Sequence, residues 1–207
     1  MKKALILDLD NTIYPVSSIQ GNLFAGLFSL INNSEHLDEQ VKLNAKDELT
    51  RRPYHLVADK YNFGVELKEK GNNLLKMITY DLPMQPFRDY QYIRDSHLTK
   101  FLVTTGFTKL QWSKVKMLDL EKDFSEIHIV DPQLSTQTKK DVFAEILKRH
   151  HYSAAEVLVI GDDPESEIKA ARELGIETFL FDPENKHPDA ETTFKALSLK
   201  DVLSILY

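Results

Sequence analysis

Apolar residues along this chain gather in short blocks: Ala4–Leu9, Lys100–Thr104, Ile127–Val130, Glu156–Ile160 and Glu177–Phe181. Each is rich in Val, Ile, Leu or Phe and lacks strict alternation, the pattern of strands buried on both faces of a sheet. Between the last four lie stretches of helical period, Trp112–Leu120, Lys139–Tyr152 and Pro164–Leu174, the last stopped by Gly175. Thr138 and Asp141 form a capping box ahead of Val142-Phe143. Asp163-Pro164 reads as an N-cap followed by proline at the first helical position. Strands alternating with helices predict βαβ units and a parallel sheet. A polar loop, Asp182–Glu191, then leads to a short helix, Lys200–Leu206, which Ser198 and Asp201 can cap.

The interval 15–91 breaks this alternation. It holds no convincing strand but several amphipathic stretches: Ile19–Asn32, Leu37–Thr50, Tyr54–Tyr61 and Val65–Tyr80. An interruption of that length is domain-sized. The expected organisation is an α/β core of residues 1–14 and 92–207 carrying a helical cap, 15–91, on linkers near Tyr14–Ser18 and Leu82–Arg88.

Composition narrows the class. At 207 residues the chain is one domain, or one domain with an insertion. Its 26 basic and 32 acidic residues leave a net charge of −6, which argues against nucleic acid as a partner. There is no cysteine, which excludes a disulfide scaffold, a zinc ribbon and a thiol nucleophile and fits the cytoplasm. The apolar run Leu23–Ile31 falls well short of the ~18 residues of a membrane span.

Chemistry concentrates at strand ends. Asp8 and Asp10, two residues apart where the first strand gives way to a loop, point to the same side of an extended chain. Buried together, they need a cation or a proton. The fourth strand ends similarly in Gly161-Asp162-Asp163-Pro164. Ligands of open α/β sheets bind at the carboxyl ends of strands, so adjacent first and fourth strands would bring Asp8, Asp10 and Asp162 together. Three hard oxygen donors suit Mg²⁺. Asp163 is expected only to cap its helix.

Asp8-Leu9-Asp10-Asn11-Thr12 resembles the first signature of the haloacid dehalogenase superfamily, the aspartate-nucleophile phosphohydrolases. Leu102-Val103-Thr104-Thr105-Gly106, a lysine at 139 or 140, and the acidic stretch from Gly161 to Gly175 resemble the later signatures, in family order. The resemblance implies a three-layer α/β/α Rossmann-like core with a helical cap, and Mg²⁺-dependent hydrolysis of a small-molecule phosphate ester. Asp8 would be the nucleophile and Asp10 the general acid and base, titrating near working pH. Asp8, the Asp10 carbonyl and Asp162 would hold the metal. Thr104, with backbone amides of Leu9, Asp10 and Thr105 in the loop ending at Gly106, would grip the phosphoryl oxygens. Lys139, preferred to Lys140, would screen Asp8. An acid at position 10 sets the chain apart from the family's dehalogenases. Two rivals share the fold: a mutase that excludes water, and a non-enzymatic descendant that binds a phosphorylated ligand.

The chain departs from the family pattern in places. Glu167 stands where the family usually has Asp, and its extra methylene moves the carboxylate by about 1.5 Å. That predicts an indirect role, through water or on the lysine. Thr105 replaces a frequent Asn, and the common Lys-Pro pair is absent. The opening Asp8 to Pro15 is also similar to pyrimidine 5′-nucleotidase-like members. Tyr14, Arg51, Arg52 and Arg88 are candidates to meet the leaving group; Trp112 is expected to pack. The seven histidines show no ligand spacing.

Overall fold

The computed structural model describes residues 1–206. Six parallel strands, β1 (Ala4–Leu7), β2 (Thr99–Thr105), β3 (Glu126–Val130), β4 (Val157–Gly161), β5 (Glu177–Phe181) and β6 (Phe194–Ala196), lie in the order β3-β2-β1-β4-β5-β6. β1 is central. Ala4 pairs with Thr99 on one side and with Val157 on the other, so strand order reverses at the β1–β4 crevice.

Alternate residues of each strand feed opposite faces. Leu5, Leu7, Leu102, Leu158 and Ile160 enter one core; Ala4, Ile6, Phe101, Val103, Val157 and Val159 enter the other. All eleven are buried, which is why none of these strands alternates in sequence. Helices cover both faces, completing the α/β/α layering.

Ten α-helices occur among the described residues. Six lie between β1 and β2, the first five being α1 (Gln20–Leu23), α2 (Ala25–Asn32), α3 (Glu39–Glu48), α4 (Tyr54–Lys60) and α5 (Val65–Met77). The single helix expected at Ile19–Asn32 is broken at Phe24, between Gly21 and Gly26, where glycines weaken the helix. Then come α6 (Tyr90–Arg94), α7 (Thr108–Met117), α8 (Lys139–Arg149), α9 (Lys169–Arg172) and α10 (Leu203–Leu206). The capping box at Thr138 and Asp141 is present.

Four expectations need correction. β1 stops at Leu7, leaving Asp8 and Leu9 in the loop beyond it, although the Asp8 amide still donates to the Ile160 carbonyl at 3.0 Å. β6 was hidden by its brevity and by Lys195 at its centre. α7 starts at Thr108 rather than Trp112; Asp131, at the end of β3, accepts from the Thr108 amide at 2.8 Å and so opens the helix earlier. The expected helix Pro164–Leu174 is a wide π-type turn, Pro164–Ile168, followed by α9, with Ser166 outside helical geometry at φ −108°, ψ −105°.

Candidate active site

Asp8 leaves the end of β1 almost fully buried, and its Oδ1 accepts from Lys139 Nζ at 2.6 Å. Lys139 sits in the first turn of α8 and also donates to Glu167 Oε2 at 2.7 Å. The other Glu167 oxygen, Oε1, accepts from the Asp163 amide at 2.8 Å. Both glutamate oxygens are therefore committed. The wide turn at Pro164–Ile168 is what swings Glu167 inward, and Gly161 makes the room: a Cβ there would lie 2.1 Å from Oε1. Wide turns of this type cluster at functional sites.

Carboxylate oxygens of Asp8, Asp162 and Glu167 lie within 4.8 Å of one another. One ammonium faces three acids, and the electrostatics follow. Burial pushes the Asp8 carboxyl up to about 7, against Lys139 and with help from Glu167 and Asp10. Burial also raises Asp162 well above the usual carboxylate range, with Glu167 and Asp8 adding to the rise. For Glu167 burial acts upward too, but Lys139 and the backbone hydrogen bonds outweigh it and hold the group low. A divalent cation fits this donor set. With Glu167 occupied, Asp8 and Asp162 are the carboxylates with oxygens to give it, and Thr12 Oγ1 steadies Asp162 by donating at 3.3 Å.

Asp10 is held differently. Its Oδ1 accepts from Lys114 Nζ at 2.8 Å and from the Tyr14 hydroxyl; its Oδ2 accepts from Gln111 Nε2 at 2.8 Å. Gln111 also donates to Thr104 Oγ1 at 2.7 Å, tying the ends of β1 and β2 together. Burial pushes the Asp10 carboxyl up, but Lys114, Tyr14 and Gln111 more than reverse it and keep it below the ordinary range. The expectation of a group poised near neutral pH does not hold for the free protein.

The sequence reading passed over this clamp. Gln111 and Lys114, with Val115 and Leu118, occupy helical spacing i, i+3, i+4, i+7, and all four are buried. Two polar residues on a core-facing stripe were the available signal. Starting the helix at Trp112 hid it.

Other candidates divide. Thr104, Thr105, Gly106, Arg51 and Arg52 line the cleft over Asp8, Asp10 and Asp162. Leu9 turns its side chain into the core. Arg88 is exposed and lies outside the cleft, and Tyr14 is fully buried with its hydroxyl on Asp10. Lys140 pairs with Glu173 at the surface, 2.8 Å away. Asp163 caps its turn by accepting from the Glu165 amide at 2.8 Å. Trp112 packs against the core. No helix among the described residues is long and apolar enough to cross a membrane.

A crevice at the strand-order reversal, lined by acids from two adjacent strand ends, is the ligand-binding position of an open α/β sheet. The profile of the haloacid dehalogenase-like hydrolases matches residues 2–175, and the chain belongs to that family. It is similar to a glyceraldehyde 3-phosphate phosphatase of Methanopyrus kandleri, 23% identical over 194 residues, covering 86% of this chain and 83% of the relative. It is also similar to a ribulose-1,5-bisphosphate 5-phosphatase of Halopiger xanaduensis, 30% identical over 96 residues, covering 45% of this chain and 40% of the relative. Among solved structures, the HAD-hydrolase YfnB of Bacillus subtilis, bound to magnesium, superposes with a TM-score of 0.70 at 20% identity, covering 99% of this chain and 98% of that one. A haloacid dehalogenase-like protein of Streptococcus pneumoniae gives 0.72 at 18% identity, covering 100% and 99%.

Proposed function

We propose that the chain is a Mg²⁺-dependent phosphomonoesterase that hydrolyses a small phosphate ester through an aspartyl-phosphate on Asp8. The observation that carries this reading is the buried Asp8 carboxylate at the reversal crevice, paired with Lys139 and facing Asp162. The phosphatase names of the two curated relatives support the ester class, and the cysteine-free chain suits the cytoplasm. The helices of 15–91 act as a cap on the core of 1–14 and 92–207.

Asp8, Asp162 and the Asp10 carbonyl would hold the cation, which when bound offsets the repulsion between carboxylate and phosphoryl oxygens. An Asp8 oxygen attacks phosphorus as the ester P–O bond breaks. Asp10 gives its proton to the departing alkoxide, then takes one from the water that attacks phosphorus and frees Asp8. Asp10 rests ionised, so its acid role requires proton uptake; the phosphoryl dianion entering beside it favours that uptake. Lys139 keeps Asp8 aimed and balances charge. Thr104, with the amides of Leu9, Asp10 and Thr105, grips the phosphoryl oxygens beside Gly106.

The test is phosphate release from an aryl phosphate. Release should need Mg²⁺, stop with EDTA and disappear in a folded Asp8→Asn variant, whose amide is no nucleophile. A folded Asp8→Asn protein retaining even about a tenth of wild-type turnover, only ~1.4 kcal/mol of barrier, would sink the assignment.

A further inference from the structure

The cleft has two unlike ends. Its floor is charged: Asp8, Asp10, Lys139 and Asp162. Its roof comes from the inserted helices, which contribute apolar side chains in turn: Leu27 from α2, Leu49 just after α3, Tyr54 from α4 and Leu75 from α5. Tyr54 offers only its ring, because its hydroxyl donates to the Leu67 carbonyl at 2.8 Å. That ring is fixed where it lies over Gly71, at which a Cβ would sit 2.1 Å from the phenol oxygen.

Of the polar side chains the inserted segment brings to the cleft, the Thr50 hydroxyl is engaged, donating to the Asp47 carbonyl at 2.6 Å. Arg51 is paired with Asp47, and Arg52 faces Glu48 at 3.6 Å, both near the solvent-open mouth. His55 and Asn72, half-buried, remain to meet a ligand. The free volume of the whole cleft, floor included, is about 130 Å³, less than the roughly 150 Å³ of an apolar cavity that takes up benzene, so the leaving group must be compact.

Resting on the phosphatase reading, we propose that this cleft selects esters whose leaving group is compact and largely apolar, a short branched alkyl or aryl group, over polyhydroxylated sugar or nucleoside phosphates. Apolar carbon gains by leaving water for such a roof. Sugar hydroxyls brought against Leu27, Leu49, Leu75 and the Tyr54 ring would give up water without gaining partners from those side chains, and a site discriminates on that ground.

Comparison of 3-methylbutyl phosphate with ribose 5-phosphate isolates the roof, since both are primary alkyl esters cleaved by the same chemistry. With Mg²⁺ and wild-type protein, kcat/KM should favour the alkyl ester by at least roughly tenfold. A smaller ratio, or one reversed, overturns the specificity and leaves the phosphatase reading standing. Phosphate release from neither ester, nor from an aryl phosphate, overturns both. Leu49→Asn, which makes the roof polar, should shrink the ratio in a folded protein, and an unchanged ratio counts against the proposal. If that variant does not fold, the wild-type ratio decides.

Discussion

Lys139 and Lys140 are neighbours in sequence with opposite fates. The first is buried between Asp8 and Glu167; the second reaches solvent and pairs with Glu173. Burial acts to lower the Lys139 ammonium, but its two carboxylates outweigh that and hold it charged. Lys139→Gln keeps a hydrogen-bond donor while deleting the charge, and should cut kcat about a hundredfold, or ~2.7 kcal/mol. Lys140→Gln breaks an exposed pair of small worth and should stay within about twofold. Steady-state kinetics on the two variants, each checked for folding by circular dichroism, decide it; the reverse order would move the role to Lys140. At this scale the acids were legible because carboxylates ending apolar strands are anomalous. Gln111 and Lys114 were not, since lone polar residues on a helix look ordinary until the helix is seen to be buried on that side. Tyr14 read as part of a linker, and only the fold reveals its hydroxyl on Asp10.

Elements were legible wherever local chemistry and burial agreed. Five strands, the capping box and the stop at Gly175 are of that kind. The turn after Pro164 was not, because its helical period is real but Glu167 is drawn off it by Lys139 and the Asp163 amide. Contacts distant in sequence overrode local preference there. A second such contact joins β3 to α8: Glu126 accepts from Arg149, from His150 at 2.7 Å and from His128 at 2.8 Å. Burial pushes the Glu126 carboxyl up, but these hydrogen bonds reverse that and bring it from 4.5 down to about 2. Because the folded value lies below the unfolded one, the stabilisation is complete above about 4.5 and is lost as pH falls toward about 2. Partial exposure screens the pair to about 1 kcal/mol, or about 2–4 °C in Tm. Thermal melts of Glu126→Gln against wild type should show that gap at pH 6 and only a small part of it near pH 2.5. A gap that persists in full at low pH would show that the contact stabilises by packing instead.

For the whole molecule, the doubly wound sheet and the run of helices between β1 and β2 could be read from the order of strand-like and helix-like segments, whereas the size and lining of the cleft depend on helices whose mutual packing no local pattern specifies. The central place of β1 carries a kinetic consequence. β1 has no partner nearby in sequence: Ala4 must wait for Thr99 and then for Val157. Helices such as α5 close on local contacts and form early, while sheet assembly must first overcome the entropy of closing very long loops. Refolding from denaturant should therefore separate in time, with far-ultraviolet ellipticity returning ahead of phosphatase activity by about tenfold or more in rate. Coincident recovery of the two signals in stopped-flow mixing would mean that β1 finds both neighbours as early as the helices form. Until that docking β1 is an unpaired, wholly apolar tetrapeptide, Ala4–Leu7, and nascent chains stalled before residue 157 should be the ones that chaperones hold longest.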